Sequence, residues 1–482
     1  MELLRRIRYG YRISALVCFY FLALIPGSLA AKDFATLEQE IQQYDTQLQE
    51  LESDLGPYHF LLLEPLQQLV RSQVEANRFE DAYRNADRAL QIVRISEGLY
   101  SPRQYQFLEL AVEVDLARSN WGAINKRLER YEQLISTAFD GSPENQIAHL
   151  QWLVDVHFDG VVADLDENRA THLIRATAAN EFAVRLAQRE HLTHTPVYPE
   201  LLHSLTLAYF LETRGIMSGG GTSYALRKIH PDLDFVEEKG EAIELRYLVG
   251  LEKLVMLKDA LLRMPARDDI ALAMTDVYIA DWNFIFDKSG DSLEDYQQAV
   301  SSLQAAGIDS ASIDRFFKLP VPLPRMSLEL DFKTALASLD HGSGSDFNSS
   351  MQLGAESFPV QRVIEVTDAL PGFVEQGPAL RFSEQSAAWH TVTLALDIDP
   401  HQSKLARNSG FRTRSLAIPS KLEVIASEAA SQKSLRRLLG RVGSIPFRPA
   451  MLNAQPVEKT LLIDYQFRDG GVSAASTALS LR

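Results

Sequence analysis

The stretch NRFEDAYRNADRAL, Asn77 to Leu90, limits what this chain can fold into more than any other. Phe79, Ala82, Ala86 and Ala89 recur at three- and four-residue steps and share one helical face. Ala82 and Ala89 are small, so a second helix backbone can approach closely. Upstream, Leu66, Leu69 and Val70 give a partner helix an apolar stripe of the same period. Two helices closed into a hairpin by a short turn follow from this pattern.

The pattern returns along the chain. QYQFLELAVEVDLARSNWGAINKRLERYEQL reads as a second pair, with Trp121 and Ile124 standing 42 residues after Phe79 and Ala82. Ile124 and Tyr131 there replace alanines. QIAHLQWLVDVHF, ENRATHLIRATAANEFAVRLAQ and ELLHSLTLAYFLETRG continue the helical style, and IALAMTDVYIADWNFIF with SLEDYQQAVSSLQAAG makes a last hairpin in which Tyr296 and Ala299 echo the repeat face. Phe34 to Leu55 carries a narrow stripe of Leu37, Ile41, Tyr44, Leu48 and Leu51, a helix that Gly56 and Pro57 end. On these residues the region 31–317 resembles the tetratricopeptide repeat family, in a variant with a repeat near 40 residues. The resemblance implies an all-α solenoid that binds partner proteins, with Ala82 and Ala89 as its close-contact positions.

The N-terminus carries an address. Arg5, Arg6, Arg8 and Arg12 precede the apolar run from Ile13, which Pro26 and Gly27 break, and Ser28 and Ala30 are small residues at −3 and −1 of a cut after Ala30. This is the pattern of a secretory signal peptide over residues 1–30. Its uninterrupted apolar core is shorter than the ~20 residues of a membrane span. Export places the chain in the periplasm; an uncleaved N-terminus would instead anchor it in the inner membrane. Cleavage removes four Arg and one Glu and takes the net charge from −16 to −19. It also removes Cys18, the only cysteine, so no internal disulfide forms. So acidic a chain is unsuited to nucleic acid.

KLPVPLPR, with Pro320, Pro322 and Pro324, opens a joint over 318–388 that includes the flexible HGSGSDFNSS. Beyond it the periodicity changes. HTVTLALDID alternates Val392, Leu394, Leu396 and Ile398, LEVIAS is a second strand, and SQKSLRRLLGRV is a helix with Ser431 at its start. PFRPAMLNAQPVEKTLLIDYQF gives a turn at Asn453 to Pro456 and a closing strand. The order strand, strand, basic helix, F-x-P-A segment and closing strand is similar to the TonB C-terminal domain family, with Phe447, Pro449, Ala450, Pro456, Val457, Tyr465 and Phe467 in the matching places. That resemblance implies, for 389–470, a small α+β domain with an antiparallel sheet that docks partners by strand addition or by its helix face, followed by a flexible tail at 471–482. KLARNSGFRTRSLAIPS departs from the family as a longer connection, and the family's proline-rich spacer is replaced by helical repeats.

Phe447 is expected to anchor the core and Pro449 to fix the turn after it. Arg436, Arg437, Arg441 and Arg448 are the candidate partner-binding residues. Basic residues exceed acidic ones across this domain while the helical region is acidic. The basic surface would meet envelope proteins, peptidoglycan or an anionic surface, or would dock internally on the acidic repeats.

The residues carry no recognisable chemistry. His191 and His194 share a short spacing, but Pro196 and Pro199 separate them from His203. ADLDEN, around Asp164 and Asp166, begins like a calcium loop but has Arg169 where the turn glycine belongs. MSGGGTSY lacks the lysine of a phosphate loop, and GSGS at Gly342 lacks a strand–turn–helix setting. No catalytic residue, metal site or cofactor is expected. The reading is a multidomain, non-catalytic periplasmic scaffold. The alternatives are an inner-membrane-anchored energy transducer of the TonB type acting on outer-membrane receptors, and an envelope hydrolase.

Overall fold

The computed structural model describes residues 34–137, 141–164, 166–219, 239–286, 292–325, 327–342, 350–353, 356–364, 389–398, 421–427, 432–443 and 445–468. The signal segment, the glycine loop after Gly219 and the C-terminal tail lie outside them. The chain is mostly helical, with a small sheet region near its C-terminus. Its described residues fall into two compact units, one up to Ser142 and one from Pro143 onward. The boundary expected at 317/318 is therefore not where the chain divides.

The first unit runs α1 (Phe34–Leu55), α2 (Leu63–Glu75), α3 (Phe79–Ser96), α4 (Gln104–Ala117) and α5 (Trp121–Thr137), each packed on the next. Ala82, Ala86 and Ala89 are fully buried against a stripe containing Leu66, Leu69 and Val70. The 42-residue offset reaches down to single hydrogen bonds. After α2, Asn77 takes a left-handed φ of 58°, and the Arg78 N–H donates to the Gln73 carbonyl at 2.7 Å. After α4, Ser119 has φ 53°, and the Asn120 N–H donates to the Asp115 carbonyl at 2.9 Å. Both are Schellman closures, which satisfy carbonyls the helix end would leave unpaired. The preceding loops also match: Gly56 and Gly98 have φ of 89° and 98°, and His59 and Ser101 accept from the N–H two residues on.

Side chains vary on this constant backbone. Asn85 donates to Gln73 at 3.0 Å across the first hairpin, and one repeat later Arg127 donates to the buried Asp115 at 2.6 Å. Tyr131, in the place of Ala89, is fully buried; its ring meets Tyr105 edge-on at 5.0 Å, and its hydroxyl bonds Glu109.

The second unit begins with α6 (Pro143–Ala163), α7 (Asp166–Arg189), α8 (Val197–Gly219), α9 (Lys239–Leu262), α10 (Asp269–Ile285), α11 (Ser292–Ala305) and α12 (Ser310–Phe316). His191 (φ 58°) and Gly307 (φ 90°) close α7 and α11 as Asn77 and Ser119 do, with Leu192 N–H to Ala187 and Ile308 N–H to Leu303. Asp268 caps α10, its carboxylate accepting from the Ile270 and Ala271 N–H groups at 3.0 Å. Asn283 donates to Asp295 at 3.0 Å, a pair twelve residues apart like Gln73–Asn85 and Asp115–Arg127.

The sheet is assembled from β2 (Ser350–Leu353), β3 (Glu356–Ile364), β4 (Trp389–Ile398), β5 (Lys421–Ser427) and β9 (Lys459–Arg468), in the order β2-β3-β9-β4-β5. β4 is antiparallel to both β9 and β5. One helix, α14 (Gln432–Val442), lays Leu438 and Val442 on Val392, Leu394, Leu396, Ile398, Leu461 and Ile463, with Phe447 in the same core. The antiparallel sheet expected for 389–470 needs one correction. β3 lies parallel to β9, so the five-stranded sheet is mixed. The stretch expected as a joint supplies β2, β3 and a helix, α13 (Phe332–Gly342).

The proline-rich segment is also no free linker. β1 (Val321–Pro322) pairs antiparallel with β6 (Phe447–Arg448), and the Leu323 N–H donates to the Pro446 carbonyl at 2.9 Å. β7 (Ala450–Leu452) and β8 (Gln455–Val457) make a small hairpin whose turn residues Asn453 and Ala454 both have positive φ.

Two substitutions at the 42-residue positions have opposite expected signs. Ala82→Leu inserts volume at a fully buried contact and should destabilise by ~1–3 kcal/mol. Ser119→Gly should stabilise by roughly 0.5–1 kcal/mol, because Ser119 is left-handed and its hydroxyl is buried with no hydrogen-bond partner. Chemical denaturation of the full chain measures both.

Candidate docking site and the buried clasp behind it

Arg448 was expected on a partner-facing surface, and the structure places it elsewhere. It is 3% exposed, with Nε donating to Asp281 Oδ1 at 2.8 Å and Nη2 to Oδ2 at 2.6 Å. Asp281 comes from α10, so β6 is clasped to the α10–α11 hairpin. The Tyr296 hydroxyl of α11 donates to the same carboxylate at 2.9 Å. The guanidinium lies over Phe316 and Phe317, at 5.1 and 5.8 Å from their ring centres. Burial works against the Arg448 charge, but Asp281 outweighs it and holds the pKa above the usual arginine range. Burial, then the Asp281 charge, pushes the Tyr296 phenol far up, so it remains a donor. Next to the clasp, Tyr278 donates to the Ser327 carbonyl at 2.9 Å and accepts from the Glu329 N–H at 2.8 Å.

The internal alternative thus holds for Arg448: the basic domain meets an acidic helix, and the charges vanish from the surface. Phe447 and Pro449 are buried on either side, as anchors. Arg436 remains exposed on α14, whose leucines face the core. Arg437 and Arg441 lie in the same helix, and their side chains are outside the described residues. β5 pairs with β4 on one side, and most of its residues are exposed. Its Lys421 and Glu423 pair with each other at 2.6 Å. Among the described residues, Arg436 on α14 and the β5 edge are therefore presented by one small domain.

In the first unit, an open cleft of ≈ 650 Å³ is lined by Asn77–Asp81 and Ala117–Asn120. It runs between two equivalent turns. Arg78 there pairs with Glu38 and Asp81, and Arg118 with Glu80, so its polar wall is already ion-paired.

The histidines weighed for zinc do not converge. His191 is exposed in its left-handed turn, His194 is exposed, and His203 is buried on α8 with its ring edge-on to Tyr278 at 5.3 Å. A different cluster was missed. His157 Nδ1 and His172 Nδ1 are 2.9 Å apart, and His172 Nε2 lies 2.9 Å from Asp164 Oδ2, all three residues buried. Asp164, read as the start of a failed calcium loop, instead orients a histidine. Gly160 makes room: a Cβ there would sit 2.6 Å from the His172 ring. That glycine, three residues after His157, was the available signal. A contact between two Nδ1 atoms needs one donor and one acceptor, so it holds a single proton. Burial lowers the His172 pKa below 6.5, against the Asp164 hydrogen bond that raises it. Among the described residues no group of three or more His, Cys, Asp or Glu is arranged to hold a metal ion. No described helix is long and apolar enough to cross a membrane.

No family model matches the chain, and no curated protein matches it. Among solved structures it is similar to BtubC (BKLC) from P. vanneervenii, at 12% identity over 69% of this chain and 100% of that one, with a TM-score of 0.32. It is also similar to a circular tandem repeat protein with novel repeat topology and enhanced subunit contact surfaces. The identity there is 14% over 57% of this chain and 66% of that one, with a TM-score of 0.27.

Arg448→Met should destabilise the second unit by roughly 3–5 kcal/mol, because it leaves the Asp281 carboxylate buried without its counter-charge, with the Tyr296 hydroxyl as a neutral donor. Asp281→Leu combined with Arg448→Met should cost much less than the sum of the single changes, a coupling that a double-mutant cycle measures.

The histidine cluster sets a pH dependence. With the folded pKa of His172 below the unfolded 6.5, the unfolded chain binds more protons at acid pH. Stability from this group is complete above pH 6.5 and is lost as pH falls below it. His172→Gln should flatten the denaturation midpoint between pH 5 and 7, removing up to about 1.4 kcal/mol per pH unit of slope.

Proposed function

We propose that this chain is a non-catalytic scaffold of the cell envelope, exported by residues 1–30, that holds partner proteins on tetratricopeptide-like helical repeats and on a TonB-like C-terminal domain. The observation that carries the reading is the way the C-terminal domain is displayed. Asp281 and β1 hold one side of it to the helices, while Arg436 on α14 and the β5 edge are turned to solvent. An exposed strand edge offers unpaired N–H and C=O groups that an extended partner segment can complete, and a basic helix face beside it selects acidic segments. The matched turns 42 residues apart support a stacked repeat array, an architecture suited to extended binding surfaces. Envelope proteins are the proposed partners, with peptidoglycan or another anionic surface as a second target of the basic face.

The test leaves Arg448 alone, since its loss would disturb the fold. Arg436, Arg437 and Arg441 are all changed to Glu in the full chain, and circular dichroism checks that the fold is intact. Capture of envelope proteins and co-sedimentation with peptidoglycan should both fall at least tenfold against the unaltered chain. If the same proteins are retrieved in the same yield, the basic face is not the docking site.

A further inference from the structure

The helix α9 has one face settled and one face bare. On the settled face Gly250 admits the Trp282 ring of α10: a Cβ at Gly250 would come within 2.1 Å of it, and Trp282 Nε1 donates to the Tyr247 carbonyl at 3.0 Å. Leu254, Leu257 and Leu261 are buried on that side. On the other side Leu248, Val255 and Leu262 are 51%, 48% and 48% exposed. They are spaced by seven, and Leu251, half-buried, lies between the first two. Leu248, Leu251 and Val255 follow the a, d, a spacing of a coiled-coil seam, Lys258 stands at the next d position and Leu262 at the next a.

We propose that α9 pairs with α9 of a second copy of this chain, antiparallel, about a two-fold axis at Val255. The charges beside the seam favour this occupant and this direction. With Val255 on the axis, Leu248 of one copy meets Leu262 of the other. Glu252, three residues before the axis, then faces Lys258, three residues after it, and the pair occurs twice by symmetry. Glu252 is 61% exposed and accepts from Lys253 at 2.9 Å, and its carboxylate has lone pairs left for a second cation from the other copy. Lys258 already bonds Asp276, and an ammonium has further donors for a second carboxylate. In a parallel pairing Glu252 would face Glu252 and Asp259 would face Asp259, so like charges oppose that direction.

Cysteine pairing tests the register, in the full chain with Cys18→Ser. A disulfide needs its two Cα atoms within ~7 Å. Val255→Cys alone should give a covalent dimer on mild oxidation. Leu248→Cys and Leu262→Cys should each form no covalent dimer alone, because the two copies of each would lie about 21 Å apart along the helix. Mixed together, they should cross-link. Without oxidant, sedimentation equilibrium of the native chain should show twice the chain mass, and Val255→Glu should return it to one. Cross-linking of Leu248→Cys with itself would overturn the antiparallel pairing. A native chain of single mass would overturn self-association, with two sub-cases. Labelling of Val255→Cys by maleimide would then mean a bare helix, and protection would mean that another part of the chain covers the seam.

Discussion

The ion pair between Asp281 and Arg448 is the constraint on which the second unit depends. It joins residues 167 apart in sequence and is nearly sealed from water. Removing two charges from water is costly, and only good geometry offsets it. Here both guanidinium-to-carboxylate hydrogen bonds are made, Tyr296 completes the carboxylate, and Phe316 and Phe317 cover the cation. Because misplacement of either partner would strand a charge, the clasp admits one seating of β6 on α10. The β1–β6 pairing and the bond from the Met451 N–H to the Phe317 carbonyl fall into place around it. This is why helices and sheet form one unit where a proline joint was expected to separate them.

The helical hairpins show a different kind of economy. Four of them close with the same pair of backbone hydrogen bonds, on Asn77, Ser119, His191 and Gly307. The residue in the left-handed position varies because the closure is made by main-chain groups. What changes from hairpin to hairpin is the polar pair across it: an amide pair in the first, a buried ion pair in the second, the Asn283–Asp295 pair near the last. His191 illustrates the consequence for reading function. Its presence near His194 invites a metal, while its role is backbone geometry.

Local features were legible in the sequence. The face of Ala82, Ala86 and Ala89 and its partner stripe follow from spacing alone, as do the alternation of β4, the amphipathic α14 and the turn at Asn453. The candidate docking residues divide along the same line. Arg436 on the polar side of α14 is exposed because helical periodicity puts it there. Arg448 follows a strand residue two places before Ala450, and nothing local distinguishes a buried arginine from a surface one. Likewise His157, His172 and Asp164 are joined by the packing of α6 on α7, with only Gly160 hinting at a ring opposite it.

The sequence by itself determined the repeat helices before residue 318, the turn at Asn453, the three antiparallel strands and the helix laid over them, because each is set by period or by a turn residue within a few positions. Tertiary structure alone decided the rest. β3 completes the free side of β9, since an unpaired strand edge takes the segment that can reach it. Asp281 finds Arg448, since a buried carboxylate is tolerable only beside a cation. The stripe of Leu248, Val255 and Leu262 stays outside because Gly250 lets Trp282 take the opposite face of α9. Each of these is a choice among partners distant in sequence, made by the need to satisfy buried polar groups and fill space, and no spacing within one segment records it.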